Sequence, residues 1–186
     1  MNKWIGQWES FENYIYSDNE HILKCWDNAE QLKSVMPMFK DGVKTFWQKA
    51  CFTTTKDNRI QVDSWNVDEN LNIEWILKDG SSYTYAYRLD KAIEKGLENK
   101  ESYLFVADTK GTPFTYLLMM EPMESDGLLS HLHFQYGKEE DEIVQNDTLV
   151  HPMWYATMVD KKGSLLDKCN LLNALHHLPK MKELWI

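Results

Sequence analysis

The residues with the strongest claim to chemistry are His131 and His133, in the run Leu129-Ser-His-Leu-His-Phe-Gln-Tyr-Gly137. A β-strand repeats every two residues, so histidines at this spacing share one face, together with Leu129 and Gln135. Neutral imidazole is a common zinc ligand, and two on one face can share one divalent ion. Such an ion needs three or four donors. The preceding strand-like segment, Phe114 to Glu121, ends on a carboxylate, and the loop after it carries Glu124 and Asp126. If the two segments pair as a hairpin, a carboxylate can reach the histidines. The candidate ligand set is therefore His131, His133 and Glu121. The competing reading is two histidines in an ordinary barrel strand, and the pattern alone leaves both open.

Other chemistry is not encoded in any recognisable motif. There is no Gly-x-Ser-x-Gly, no phosphate-binding glycine loop and no His-Glu-x-x-His. Nothing pairs a nucleophile with a base, so the expectation is a binding protein and not an enzyme. Cys25, Cys51 and Cys169 are odd in number and widely spaced, which suits buried thiols better than disulfides or a zinc ribbon. His176 and His177 fall in the last turn of a helix, where histidine complements the helix dipole. His151, before a proline and an aromatic pair, reads as packing. The acidic run Glu139 to Glu142 reads as a solvated loop.

The elements that must hold the histidines follow from periodicity. Ser17 or Asp18 can cap a helix carrying Ile22, Cys25, Trp26, Ala29, Leu32 and Met36 at three- and four-residue steps, ended by Pro37. A second helix carries Val43, Phe46, Trp47 and Ala50. From about Phe52 the period becomes two. Strands are expected over Arg59 to Trp65 and Leu71 to Leu77. Asp79-Gly80 then makes a hairpin turn into a return strand with Tyr83, Tyr85, Tyr87 and Leu89. Lys91 to Lys100 reads as an exposed connection. Strands follow at Tyr103 to Ala107, Phe114 to Glu121 and Leu128 to Tyr136. The C-terminal helix has a capping box, Ser164 with Asp167, an apolar stripe from Leu165 to Leu175, and Pro179 as its stop. At the other end, Trp4-Ile-Gly-Gln-Trp8 suits the closing strand of a small barrel, with glycine letting backbone pass close under a tryptophan.

The predicted architecture is mainly β: one domain over residues 1–186, an antiparallel barrel with helices near the N-terminus and at the C-terminus. An aromatic content of 13% excludes a disordered chain and suits broad half-buried sheet faces. A net charge of −9 disfavours nucleic acid, which needs a basic surface. No apolar run is long enough to span a membrane, and the N-terminus has no hydrophobic signal core, so the expected location is cytoplasmic. The oligomeric state is not encoded in any pattern.

Four short motifs, in order, carry a family resemblance: Trp4-x-Gly-x-Trp-x-Ser10, Tyr103-Leu-Phe105, Ser130-His-x-His133 with Gly137, and Pro152-x-Trp-Tyr155 before a short helix. Over nearly the whole chain this resembles the ZinT/YodA family, bacterial zinc- and cadmium-binding proteins with a calycin (lipocalin-like) barrel. The resemblance implies a helix-flanked barrel and a metal held at its mouth by three histidines. Two of these match His131 and His133. The third belongs to an Asp-His pair ending the previous strand, and here that place reads Glu121-Pro122. The acidic member is kept and the histidine is absent, as are the family's His-rich segment and secretion signal. The implied function is divalent-metal binding, with zinc as the expected ion, at a remodelled site. The alternative is a lipocalin-like binder of a small organic ligand, lined by the Trp and Tyr rows.

Overall fold

The change of period near residue 60 marks a change of architecture. The protein, as a computed structural model, is described over residues 3–54, 60–124 and 128–184. The early helices are α1 (Glu12–Ile15), α2 (Glu20–Glu30) and α3 (Val43–Cys51), with α4 (Leu165–Leu175) near the C-terminus. The barrel strands are β1 (Gly6–Ser10), β2 (Val62–Val67), β3 (Asn72–Leu77), β4 (Ser82–Ile93), β5 (Ser102–Ala107), β6 (Tyr116–Met120), β7 (His131–Gly137) and, after a small hairpin of β8 (Val144–Gln145) and β9 (Thr148–Leu149), β10 (Ala156–Asp160). Among the described residues these eight strands close an antiparallel barrel in the order β1-β10-β7-β6-β5-β4-β3-β2. The expected mainly-β barrel is observed. No helix among the described residues is long and apolar enough to cross a membrane.

The Trp4-to-Trp8 segment closes the barrel as its sequence suggests. It feeds β1, which pairs with β10 on one side and β2 on the other. A Cβ on Gly6 would meet the Trp8 indole nitrogen at 3.4 Å. That indole donates to the Trp4 carbonyl, and the Trp4 indole donates to the Met120 carbonyl across the barrel end. The interior is packed with rings. Trp65 and Trp75 meet edge to face, Phe134 packs on Trp65, and Phe114 stacks on Trp75. Trp65 and Trp75 are therefore core.

A second apolar cluster lies outside the barrel wall. Ile22, Cys25, Trp26 and Ala29 of α2 pack with Cys169, Leu171 and Leu172 of α4, and with Val159 of β10. Helices α2 and α4 thus form a cover, and α3 joins them against β10. The capping box of α4 is present: the Ser164 hydroxyl accepts from the Asp167 amide, and the Asp167 carboxylate accepts from the Ser164 amide. The three cysteines are buried and free, as expected.

Four local expectations change. Asn19, not Ser17 or Asp18, caps α2, accepting from the His21 and Ile22 amides. The Asp-Gly hairpin puts Trp75 opposite Tyr83 and Ile73 opposite Tyr85 as expected. Tyr83 and Leu89 are nevertheless exposed, although they lie opposite buried Trp75 and Phe105. The segment expected as an exposed connection, Lys91 to Lys100, is partly strand: β4 continues to Ile93 after a register shift between Leu89 and Lys91. Within that charged segment Leu97 is fully buried. The expected strand over Arg59 to Trp65 begins only at Val62, and Arg59 and Asp126 lie outside the described residues.

Candidate metal centre

Strand β7 sits between β6 and β10. Leu132 and Phe134 point into the barrel, so alternation sends His131 and His133 to the outer wall, under the helices. Their register partners on β10 are Val159 and Thr157. The two rings stand 5.7 Å apart, centroid to centroid.

His133 is 7% exposed and held at both nitrogens. Its Nδ1 lies 2.8 Å from the Thr157 hydroxyl oxygen, and its Nε2 lies 3.1 Å from Glu98 Oε1. Thr157 has one hydrogen, which it donates to the Tyr155 carbonyl at 2.7 Å. The hydroxyl must therefore accept from His133, which fixes the proton on Nδ1. A neutral Nε2 would then be a lone pair facing a carboxylate, two acceptors in contact. The contact needs a positive charge: a second proton on the ring, or a cation beside it.

Glu98 comes from the Gly96–Lys100 turn. Its φ of 52° is left-handed, as is Asn99's at 58°. The turn is held by the Gly96 amide on the Lys100 carbonyl and by the Leu97 amide on the Ser102 hydroxyl. Leu97, buried in the barrel cluster, anchors it. The hydrogen bond with His133, helped by Lys100 at 2.8 Å, holds the Glu98 carboxyl at about 2, against the burial that pushes it up. His131 is different. Burial first, and the charge of His133 second, lower it to about 4, so it is neutral near pH 7. Its Nδ1 is buried and has no hydrogen-bond partner.

Glu121 is not brought to the histidines. The β6–β7 hairpin forms as expected, with Met119 opposite Phe134. Strand β6 ends at Met120, and an isolated bridge of Met123 with His131 follows one residue out of the β6–β7 register, so Glu121 lies in an irregular step between the two. It pairs instead with Lys3 at 2.6 Å and accepts from the Tyr103 hydroxyl at 3.2 Å. Glu124 is exposed. His151 packs against Trp154. His176 caps α4: its Nδ1 bonds the Leu172 carbonyl, and its Nε2 accepts from the Trp47 indole.

The carboxylate that sequence reasoning missed is thus Glu98. The available signal was Leu97, a large apolar residue between charged neighbours, which marks a turn tucked against the core. Among the described residues no three His, Cys, Asp or Glu side chains already converge as a metal-holding group. The arrangement is a bonded pair, His133 and Glu98, with His131 alongside. All three line a cavity of about 480 Å³ between barrel wall and helices, walled otherwise by Phe11, Phe46, Trp47, Leu171 and Leu175 among others.

No protein-family model matches the chain, and no curated protein matches it by sequence. Among solved structures it is similar to the Zn(II)-bound ZinT-like domain of Streptococcus pneumoniae AdcA, with a TM-score of 0.58 and 18% identity over 91% of this chain and 87% of that one. At that identity the likeness is one of fold, and the barrel is ZinT-like in fold.

Proposed function

We propose that this chain is a divalent-metal-binding protein of zinc type, and not an enzyme, with His131, His133 and Glu98 as the donors. The observation that carries this is the His133–Glu98 contact. With Nδ1 committed to Thr157, the pair faces Nε2 and a carboxylate at 3.1 Å, an arrangement that needs a positive charge, which a bound metal ion would supply in place of a second ring proton. His131 adds a neutral ring with an unpartnered buried nitrogen. Imidazole and carboxylate are both zinc ligands. The ring separation of 5.7 Å is only slightly wider than the roughly 5 Å at which two imidazoles share a tetrahedral zinc. By donor chemistry the three residues suit the ion as an open site, and they would close on it from their present arrangement, in which they do not yet converge. The zinc-bound state of the similar ZinT-like domain supports the same reading.

A bound metal would supply Lewis acidity and a positive charge under the helical cover. The chain's own part is to hold the His131 imidazole neutral, to fix the Nδ1 proton of His133 through Thr157, and to neutralise charge through Glu98. Zinc titration by calorimetry tests the proposal. Wild type binds, His131→Ala/His133→Ala does not, and Glu98→Gln binds at least about tenfold more weakly. Glu121→Gln matches wild type. Equal isotherms for wild type and the double variant would overturn the metal reading. Equal loss in Glu98→Gln and Glu121→Gln would overturn the ligand set. Protons compete for the same nitrogens, so affinity falls with acid, and for His131, held at about 4 in the fold, the competition is felt as pH drops toward that value.

A further inference from the structure

The cavity beside the histidines has features that metal storage alone does not require. Its volume of about 480 Å³ lies within the range of small-ligand sites. Its walls are mostly aromatic and aliphatic, and four of its polar residues, Glu98, His131, His133 and Thr157, are gathered together. Met38 and Met153, also on its lining, are 52% and 74% exposed. Lys49, exposed on α3, also borders it. A cavity with one polar cluster and a mostly apolar body selects an amphipathic molecule with a single head.

Charge identifies the head. Resting on the metal reading above, a divalent ion held by two neutral imidazoles and one carboxylate keeps a net charge of about +1, and three protein donors leave a zinc coordination position open. A second anion neutralises that charge. Without the metal Glu98 is taken up by its pairs with His133 and Lys100, and no open coordination position is present to receive an anion.

We infer that the cavity binds an apolar monocarboxylate, a medium-chain or arylalkyl acid, whose carboxylate meets the protein-bound metal and whose tail lies between Phe46, Trp47 and Leu175. The protein is then a metal-dependent binder of small apolar acids. No covalent step is involved.

The test uses the whole chain, first titrated with zinc and then with sodium octanoate or sodium acetate, followed by calorimetry and by the carboxyl resonance of octanoate labelled with ¹³C at C1. The expected results are octanoate binding at least tenfold tighter than acetate, at least tenfold weaker octanoate binding to zinc-free protein, and a shifted carboxyl resonance only with zinc present. Each buried methylene should multiply affinity by roughly fourfold, so hexanoate falls between the two acids. Ala50→Phe, which fills the cavity from α3, should keep the zinc isotherm and lose octanoate. Octanoate binding no tighter than acetate in zinc-loaded wild type overturns the inference while leaving the metal reading intact. So does equal octanoate affinity with and without zinc. A flat zinc isotherm, recorded before any acid is added, overturns both readings and shows that the failure lies in the metal. The acid series needs no variant, so misfolding of Ala50→Phe does not remove the test.

Discussion

Thr157 decides which nitrogen of His133 faces Glu98. Because its only hydrogen goes to the Tyr155 carbonyl, it is an acceptor for the ring, and the choice of tautomer follows. Thr157→Val keeps shape and loses the acceptor. Zinc affinity should fall about 10- to 100-fold with an unchanged circular dichroism spectrum; an unchanged isotherm would mean that the hydroxyl does not orient the ring. The histidines also predict how the metal-free protein responds to acid. His131, at about 4, and His176, lowered chiefly by burial, are neutral in the fold, whereas the unfolded chain protonates them from about 6.5 downward. The unfolded state then binds more protons, so stability falls as pH drops from about 6.5 to about 4. The loss for His131 alone is on the order of 3 kcal/mol. Glu98 acts in a lower window: its stabilisation is present above its ordinary value of 4.5 and is lost as pH falls toward about 2. Urea unfolding at pH 7 and pH 5 should therefore differ because of the histidines, and equal midpoints would contradict the burial of His131.

At the scale of elements, the turn from Gly96 to Lys100 controls whether a carboxylate reaches the site. A Cβ on Gly96 would lie 2.4 Å from the Ser102 Cβ and hydroxyl. Gly96→Ala must push the turn off β5, and Glu98 with it. The expected cost is about 1–3 kcal/mol in urea unfolding, with a zinc affinity lowered as in Glu98→Gln. Wild-type affinity in a destabilised Gly96→Ala would separate the turn from the site. Much of the element layout was legible in the chain. The shift from helical to two-residue period, the Asp-Gly hairpin, the Ser164–Asp167 box and the Trp4-to-Trp8 closing segment are all local signals, and each is observed. The histidine strand and its hairpin partner were legible too. What was not legible is non-local. Glu121 falls in the irregular step between the β6–β7 ladder and the Met123–His131 bridge, which no local pattern states. The reach of β4 to Ile93 depends on an irregularity between Leu89 and Lys91 that lets charged residues ride the barrel rim. Glu98 became a candidate only once Leu97 was seen to be buried. Its left-handed backbone is held by tertiary contacts, against the usual preference of a non-glycine residue.

At the scale of the molecule, the site lies between two cores. The aromatic barrel interior is filled, and the helical cover packs on the outer wall through Val159 and α4. The histidines stand where those cores part, which is why a cavity forms there and not inside the barrel. Ties across the seam hold it together: the Trp154 indole donates to the Phe52 carbonyl, and the Tyr155 amide to the Ala50 carbonyl, both at 2.7 Å. A ligand held by Glu98 from the β4–β5 turn and by two residues of β7 joins segments far apart in sequence. Those segments scatter on unfolding, so binding is lost with the fold and stability rises with free metal. Zinc at about a hundred times its dissociation constant should add about 2.7 kcal/mol to the unfolding free energy. For a chain of this size that raises Tm by about 5–10 °C in differential scanning calorimetry at pH 7. Glu121→Gln should show the full shift, since its partners are Lys3 and Tyr103 and it takes no part in holding the ion. Glu98→Gln at the same zinc concentration should show at most half of it, because a tenfold weaker site retains only about 1.4 kcal/mol of that gain. A zinc shift unchanged in Glu98→Gln and absent from Glu121→Gln would return the third ligand to the strand end and displace the turn from the site.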